Sequence, residues 1–194
     1  MPSDLQVDNI KDGSATKTLA TLSSSAVTLH SDVTFPAGHV IQTVNNTSTS
    51  QFNVGAHSTS QFATSGFNCS ITPKTTTSKI LITLASIVGG TFSTDNWFLI
   101  GLKAEGNSIT TTDIGIDSNN PLVRANPNTT DAHGLSGVQA TLLQDFNQSN
   151  TTDSITITVY VGTSSTQSAG SVHLGGRDNG ESSYSMLTLQ EIAQ

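Results

Sequence analysis

With 194 residues, 14 acidic and 7 basic side chains and a net charge of −7, the chain is long enough for one domain with a real core plus an appendage. The cations Lys11, Lys17, Lys74, Lys79, Lys103, Arg124 and Arg177 are dispersed, which leaves no basic patch for phosphates and excludes nucleic acid as an expected partner. Only 11% of residues are charged and 34% hydrophobic, whereas 57 are Ser or Thr, the composition of a β-protein kept in solution by hydroxyls and suited to a structural or adhesive role more than to an enzyme.

The N-terminus lacks a basic stretch followed by an apolar one, so no secretory leader is expected there. Leu5, Val7 and Ile10 form a short apolar strand, and Lys11-Asp12-Gly13-Ser14 reads as a turn. Leu19, Leu22, Val27 and Leu29 follow among small hydroxyl residues. This segment carries too few apolar side chains to fold alone and is expected to be an extended arm, ordered by association with copies of itself or with another protein. Pro36 fixes φ and holds Phe35 extended, and Gly38 permits a bend, which places a boundary between an anchoring and trimerising arm, 1–36, and a domain, 37–194.

From residue 39 onward the pattern is strand after strand. The first, 39–44, is followed by a polar turn at Asn45-Asn46-Thr47-Ser48, and 62–71 ends before Pro73. The strongest strand is 79–88, closed by Gly89-Gly90. Its interruption by Thr83 and Ser86 keeps it far from the roughly 18 apolar residues of a membrane helix, so no membrane insertion is expected. Trp97 opens the apolar run 96–103 and is expected in the core. Weaker segments lie near Ile109, 114–116 and 122–123. Four more strands are expected at 136–146, 154–161, 171–174 and 184–192. In 154–161, alternation puts Ile155, Ile157, Val159 and Val161 on one face and Thr156, Thr158 and Tyr160 on the other. About eight strands divided by turn signals predict an all-β chain, an antiparallel β-sandwich of jelly-roll type. Cys69, the only cysteine, is expected as a buried, inert thiol. In the last strand Tyr184 and Met186 take one phase and Leu187 and Leu189 the other. Both faces are then apolar, which points to a subunit interface formed by these four residues in a homotrimer.

Chemistry-bearing patterns are thin. Gly134-Leu135-Ser136-Gly137 lacks the spacing of a nucleophile elbow, and His133 beside Asp131 does not make Ser136 a nucleophile. Asp113 and Asp117 would share one face of a strand, as a glycosidase pair requires, but they equally suit a solvated turn before Pro121. His30, His39, His57, His133 and His173 are isolated, so no metal and no cofactor is expected; His173 near a trimer axis is the one conceivable ligand. The N-x-S/T triplets at Asn68, Asn128, Asn147 and Asn150 are what so much Asn, Ser and Thr produces by chance. Binding is expected instead at polar loop tips: Ser118, Asn119 and Asn120; Asn126 and Asn128; and Arg177, Asp178 and Asn179.

Two groups of residues carry a resemblance. The opening LQVDNIKDG (5–13) with VTFPAGHVIQ (33–42), and ITP (71–73) with SKILI (78–82) and the closing LTLQEI (187–192), resemble virion structural and tail-fibre proteins of aquatic, especially marine, tailed bacteriophages. The resemblance implies a non-enzymatic virion protein, made in the host cytoplasm and released by lysis. Its arm, with Leu5, Val7 and Ile10, would attach to other virion proteins. Its sandwich would contact a host surface glycan or protein, as in a short tail fibre or spike subunit. A capsid decoration or cement protein is the second expectation, since the chain leaves little room for a shaft. A carbohydrate-degrading tail spike is the third.

Overall fold

A computed structural model describes residues 9–11, 18–23, 27–29, 35–55, 62–91, 97–117, 119–125, 134–149, 153–163, 171–176 and 182–194. The chain divides into two compact units, Met1–Pro36 and Ala37–Gln194. In the first, β1 (Asn9–Lys11), β2 (Thr18–Leu22) and β3 (Val27–Leu29) pair antiparallel in that order. The described residues of this unit are thus a small meander and not an extended arm: pairing satisfies backbone groups that a lone extended segment would leave to water. Ala20 is buried, while Ile10, opposite it across the ladder, is 48% exposed. Leu5 and Val7 lie outside the described residues.

The second unit contains β4 (Val40–Ser48), β5 (Phe52–Gly55), β6 (Phe62–Ile71), β7 (Lys79–Thr91), β8 (Phe98–Glu105), β9 (Thr112–Ile114), β10 (Val123–Ala125), β11 (Gly134–Gln144), β12 (Ile155–Thr163), β13 (Ser171–Leu174) and β14 (Ser185–Ile192). All pairings are antiparallel, and the described residues contain no helix. These strands occupy eight columns, because β4 and β5, β9 and β10, and β13 and β14 each share one. Numbered along the chain, column 1 pairs with 8 (β4 with β14, β5 with β13), 2 with 7 (β6 with β12), 3 with 6 (β7 with β11) and 4 with 5 (β8 with β9 and β10). That is the ladder of a single long hairpin. Rolling it up adds the pairs 8 with 3 and 7 with 4. Two four-column sheets result, ordered 1-8-3-6 and 2-7-4-5, packed as a sandwich.

The core follows from alternation. Ile155, Ile157, Val159 and Val161 of one sheet and Ile80, Ile82, Leu84 and Val88 of the other are at most 1% exposed and belong to one apolar cluster. Cys69 joins it on β6, where burial pushes its thiol pKa up. Strand β8 breaks the alternation, being buried on both faces from Phe98 to Leu102. The segment after β9 lies over its outer side: a Cβ on Gly101 would meet the Gly115 carbonyl oxygen at 2.7 Å. Gly115 itself adopts φ 64° with the Leu122 backbone nitrogen where its Cβ would be, so this crossing needs glycine twice.

Several expectations are corrected. The polar stretch 45–48 continues β4, because its backbone stays paired with β14 and Asn46 Nδ2 donates to the Asn68 carbonyl. Gly89 and Gly90 do not close β7; they are hydrogen-bonded between β11 and β13. Strand β5, four residues among Ser and Gln, was not anticipated. Trp97 precedes β8 and is 40% exposed, not core. Leu187 and Leu189 are fully buried inside the sandwich, which removes them from any subunit interface: β14 lies between β4 and β7, and the facing sheet covers its inner side. Tyr184, 56% exposed, and Met186, half-buried, take the opposite phase on the outer side.

Candidate functional site

At one end of the sandwich β4, β7 and β12 begin and β6, β8, β11 and β14 finish. The chain enters here, stapled by Gly38 N–H to the Ala193 carbonyl (2.8 Å) and Ala193 N–H to the His39 carbonyl (2.9 Å). Three described loops meet this end, 72–78, 106–111 and 145–149. They deal with buried polar groups in two ways.

The first is a knot around Glu191. Its carboxylate is 0% exposed. It accepts from Lys74 N–H (2.8 and 2.9 Å), Thr75 N–H (3.1 Å), the Ser78 hydroxyl (2.7 Å) and the Gln42 side-chain amide (2.7 Å). Gln42 Nε2 also reaches the Thr72 carbonyl at 2.6 Å. One side chain near the C-terminus therefore holds Lys74, Thr75 and Ser78 of the β6–β7 loop, and its own carboxylate oxygens are fully engaged by the fold.

The second is an open cleft of about 460 Å³ between loops 106–111 and 145–149, with Asn107, Ser108 and Thr110 on one wall and Asp145, Asn147 and Ser149 on the other. Gly106 sets the first wall, since a Cβ there would come within 2.7 Å of the Ser154 carbonyl oxygen. In the second wall Phe146 and Gln148 are buried and Asp145, Asn147 and Ser149 are exposed. Asp145 Oδ1 accepts from Asn147 N–H (3.0 Å), and Asn147 takes φ 48°, a conformation Asn tolerates. Ser149 ties the walls together by donating both its N–H (3.0 Å) and its hydroxyl (3.2 Å) to the Ser108 carbonyl. The Ser108 hydroxyl, on a residue 7% exposed, is buried and has no hydrogen-bond partner among the described residues. Ile109 and Phe146 give the cleft an apolar patch.

The residues singled out from sequence do not meet at one place. Asn119 and Asn120 are exposed in the β9–β10 loop, where Asp117 caps a turn by accepting from Asn119 N–H at 2.9 Å and Arg124 donates to the Asn119 carbonyl at 3.2 Å. Ser118, Asn126, Asn128, Arg177, Asp178 and Asn179 lie outside the described residues, as does His133. Asp113 and Asp117 do not share a strand face, because β9 ends at Ile114 and Gly115 turns the chain. Asp113 lies exposed across from Lys103, whose ammonium is pushed to higher pKa first by its hydrogen bond to Glu105 (2.9 Å). His173 is 4% exposed within β13, too deep to reach copies of itself on an axis. The cleft residues carried no sequence signal beyond Asn- and Ser-rich composition; the walls are almost forty positions apart along the chain.

A second surface feature lies on the outer face of β11, β7 and β14, where Tyr184, Met186, Ala85 and Ile87 border an apolar groove of about 470 Å³. Leu135 and Leu143 are 39% and 49% exposed on the same face of β11.

No family model and no curated protein matches the chain. Among solved structures, the crystal structure of dimeric latent PorU from Porphyromonas gingivalis is similar at a TM-score of 0.31 and 13% identity, over 82% of this chain. The match spans 14% of that chain, and a superposition this loose carries no argument about fold or function.

Proposed function

We propose that this chain is a non-enzymatic structural component of a tailed-bacteriophage particle, a short tail fibre or spike subunit whose N-terminal unit attaches to the virion and whose sandwich meets the host surface. The observation that carries the reading is the column order 1-8-3-6 against 2-7-4-5, a hairpin rolled into the jelly-roll arrangement that recurs in viral capsid and lectin domains. Low charge, abundant hydroxyls and the resemblance of 5–13, 33–42, 71–73, 78–82 and 187–192 to phage virion proteins support it. In this reading Ile10 belongs to the attachment surface. Three copies associate through the outer face that exposes Tyr184, Met186, Leu135 and Leu143, since exposed apolar residues gathered on one face are characteristic of association surfaces. The test is gold labelling of particles with an antibody against the sandwich, imaged by electron microscopy. Label confined to the tail is expected. Label spread over the head would make the chain a decoration protein, and label on no particle would end the virion reading.

A further inference from the structure

We propose that the free edge of β11 is a strand-pairing interface with a second copy of this chain, β11 meeting β11 antiparallel about a two-fold axis at Gln139. Strand β11 borders the 1-8-3-6 sheet: one edge is paired with β7, and no described strand pairs with the other. Such an edge presents a row of unpaired N–H and C=O groups, and folded proteins blunt these rows with bulges, charges, short strands or side-chain cover. The other three edges of this sandwich are blunted. In β6 the register against β12 shifts where Gly66 takes φ 77°, and the side-chain amides of Asn46 and Asn68 donate to the carbonyls of Asn68 and Gly66 (2.7 and 3.2 Å). Strands β4 and β5 divide their column, and the register shifts in both of their ladders. Strands β9 and β10 have three residues each and carry Asp113 and Arg124. By contrast, all 11 residues of β11 pair with β7 without a shift, and none of them is charged or proline.

The strand's own sequence names the occupant. When a sheet continues across two copies, residues directly opposite each other point to the same side, so exposed positions of one strand meet exposed positions of the other. Leu135 and Leu143, 39% and 49% exposed, lie equally far to either side of Gln139. A two-fold axis at Gln139 therefore engages the whole strand and sets Leu135 of each copy against Leu143 of the other, two apolar cross-strand pairs on the outer face. Gly137 then faces Thr141, and Gln139 faces its own copy. With no charge on the strand, no like charges are opposed. An antiparallel ladder of this length forms about ten hydrogen bonds, about as many as a typical specific interface carries. The pairing uses the edge of β11 and is two-fold, whereas the association of three copies uses the outer face. It rests on β11 alone and holds or fails independently of the virion reading.

The experiment is cross-linking of the full chain with a short thiol-to-thiol reagent, the parent protein serving as the blank because Cys69 is buried. Gln139→Cys should give a covalent dimer, and Leu135→Cys mixed with Leu143→Cys should give a mixed dimer. Leu135→Cys alone should give none, because the pairing holds its two copies about 27 Å apart along the strands. Adding Gln139→Lys to the mixed pair sets two ammonium groups against each other at the axis. The mixed-dimer yield should fall several-fold while the urea midpoint stays unchanged, since residue 139 is exposed. Absence of the Gln139→Cys dimer overturns the proposal, as does a mixed-dimer yield that Gln139→Lys leaves intact. Leu135→Cys cross-linking to itself as readily as to Leu143→Cys also overturns it, since that is the pattern of copies meeting face to face without a paired edge.

Discussion

Two loop clusters at the same end of the sandwich bury polar groups to opposite effect. Around Glu191 a carboxylate with no exposed surface is met by two backbone N–H groups, a hydroxyl and an amide, so the carboxylate has no unmet acceptor left over. Around Ser108 the carbonyl is used twice and the hydroxyl not at all. A completed network rigidifies a fold, whereas an unmade bond costs free energy that the rest of the fold must carry.

Removing the Glu191 carboxylate should have the largest effect. Glu191→Ala takes the shared acceptor from the Lys74 and Thr75 N–H groups and the Gln42 amide and leaves a hole in a fully buried position, and is expected to destabilise the sandwich by about 3–5 kcal/mol, measured by urea denaturation. A loss below about 1 kcal/mol would mean that water reaches the loop and that the knot is not what orders it. Next comes the two-sided strand β14. Leu187→Ala, in the core, should cost about 2–5 kcal/mol, whereas Tyr184→Ala, on the outer side, should leave the monomer within about 0.5 kcal/mol. The same Tyr184→Ala change should weaken self-association in light scattering; equal stability losses for the two variants would contradict the assignment of faces. The smallest change is expected at Ser108, where alanine removes a hydroxyl that the fold does not use.

Much of the sandwich was legible because period-two patterns survive in strands with one buried face. β12 reads correctly residue by residue, Ile155 and Thr156 taking opposite sides as written in the sequence. The pattern failed where tertiary pairing decides. Asn45 and Asn46 look like a turn, but β14 pairs with them, and an edge strand does not end while its neighbour's backbone demands partners. Gly89 and Gly90 look like a terminator, yet lie between β11 and β13. By pattern the final strand needs another subunit to cover Leu187 and Leu189, whereas the facing sheet covers them in the fold. The site was hidden for a related reason: Ser108 and Ser149 meet only because β8 and β11 finish at the same end, and Glu191 finds its donors 113 to 149 positions away.

Urea denaturation of Ser108→Ala beside Glu191→Ala tests the contrast most directly. The account predicts a midpoint for Ser108→Ala equal to or above that of the parent protein, against a large fall for Glu191→Ala. A fall for Ser108→Ala comparable to that of Glu191→Ala would show that the hydroxyl is part of the scaffold and would contradict its lack of a partner in the fold.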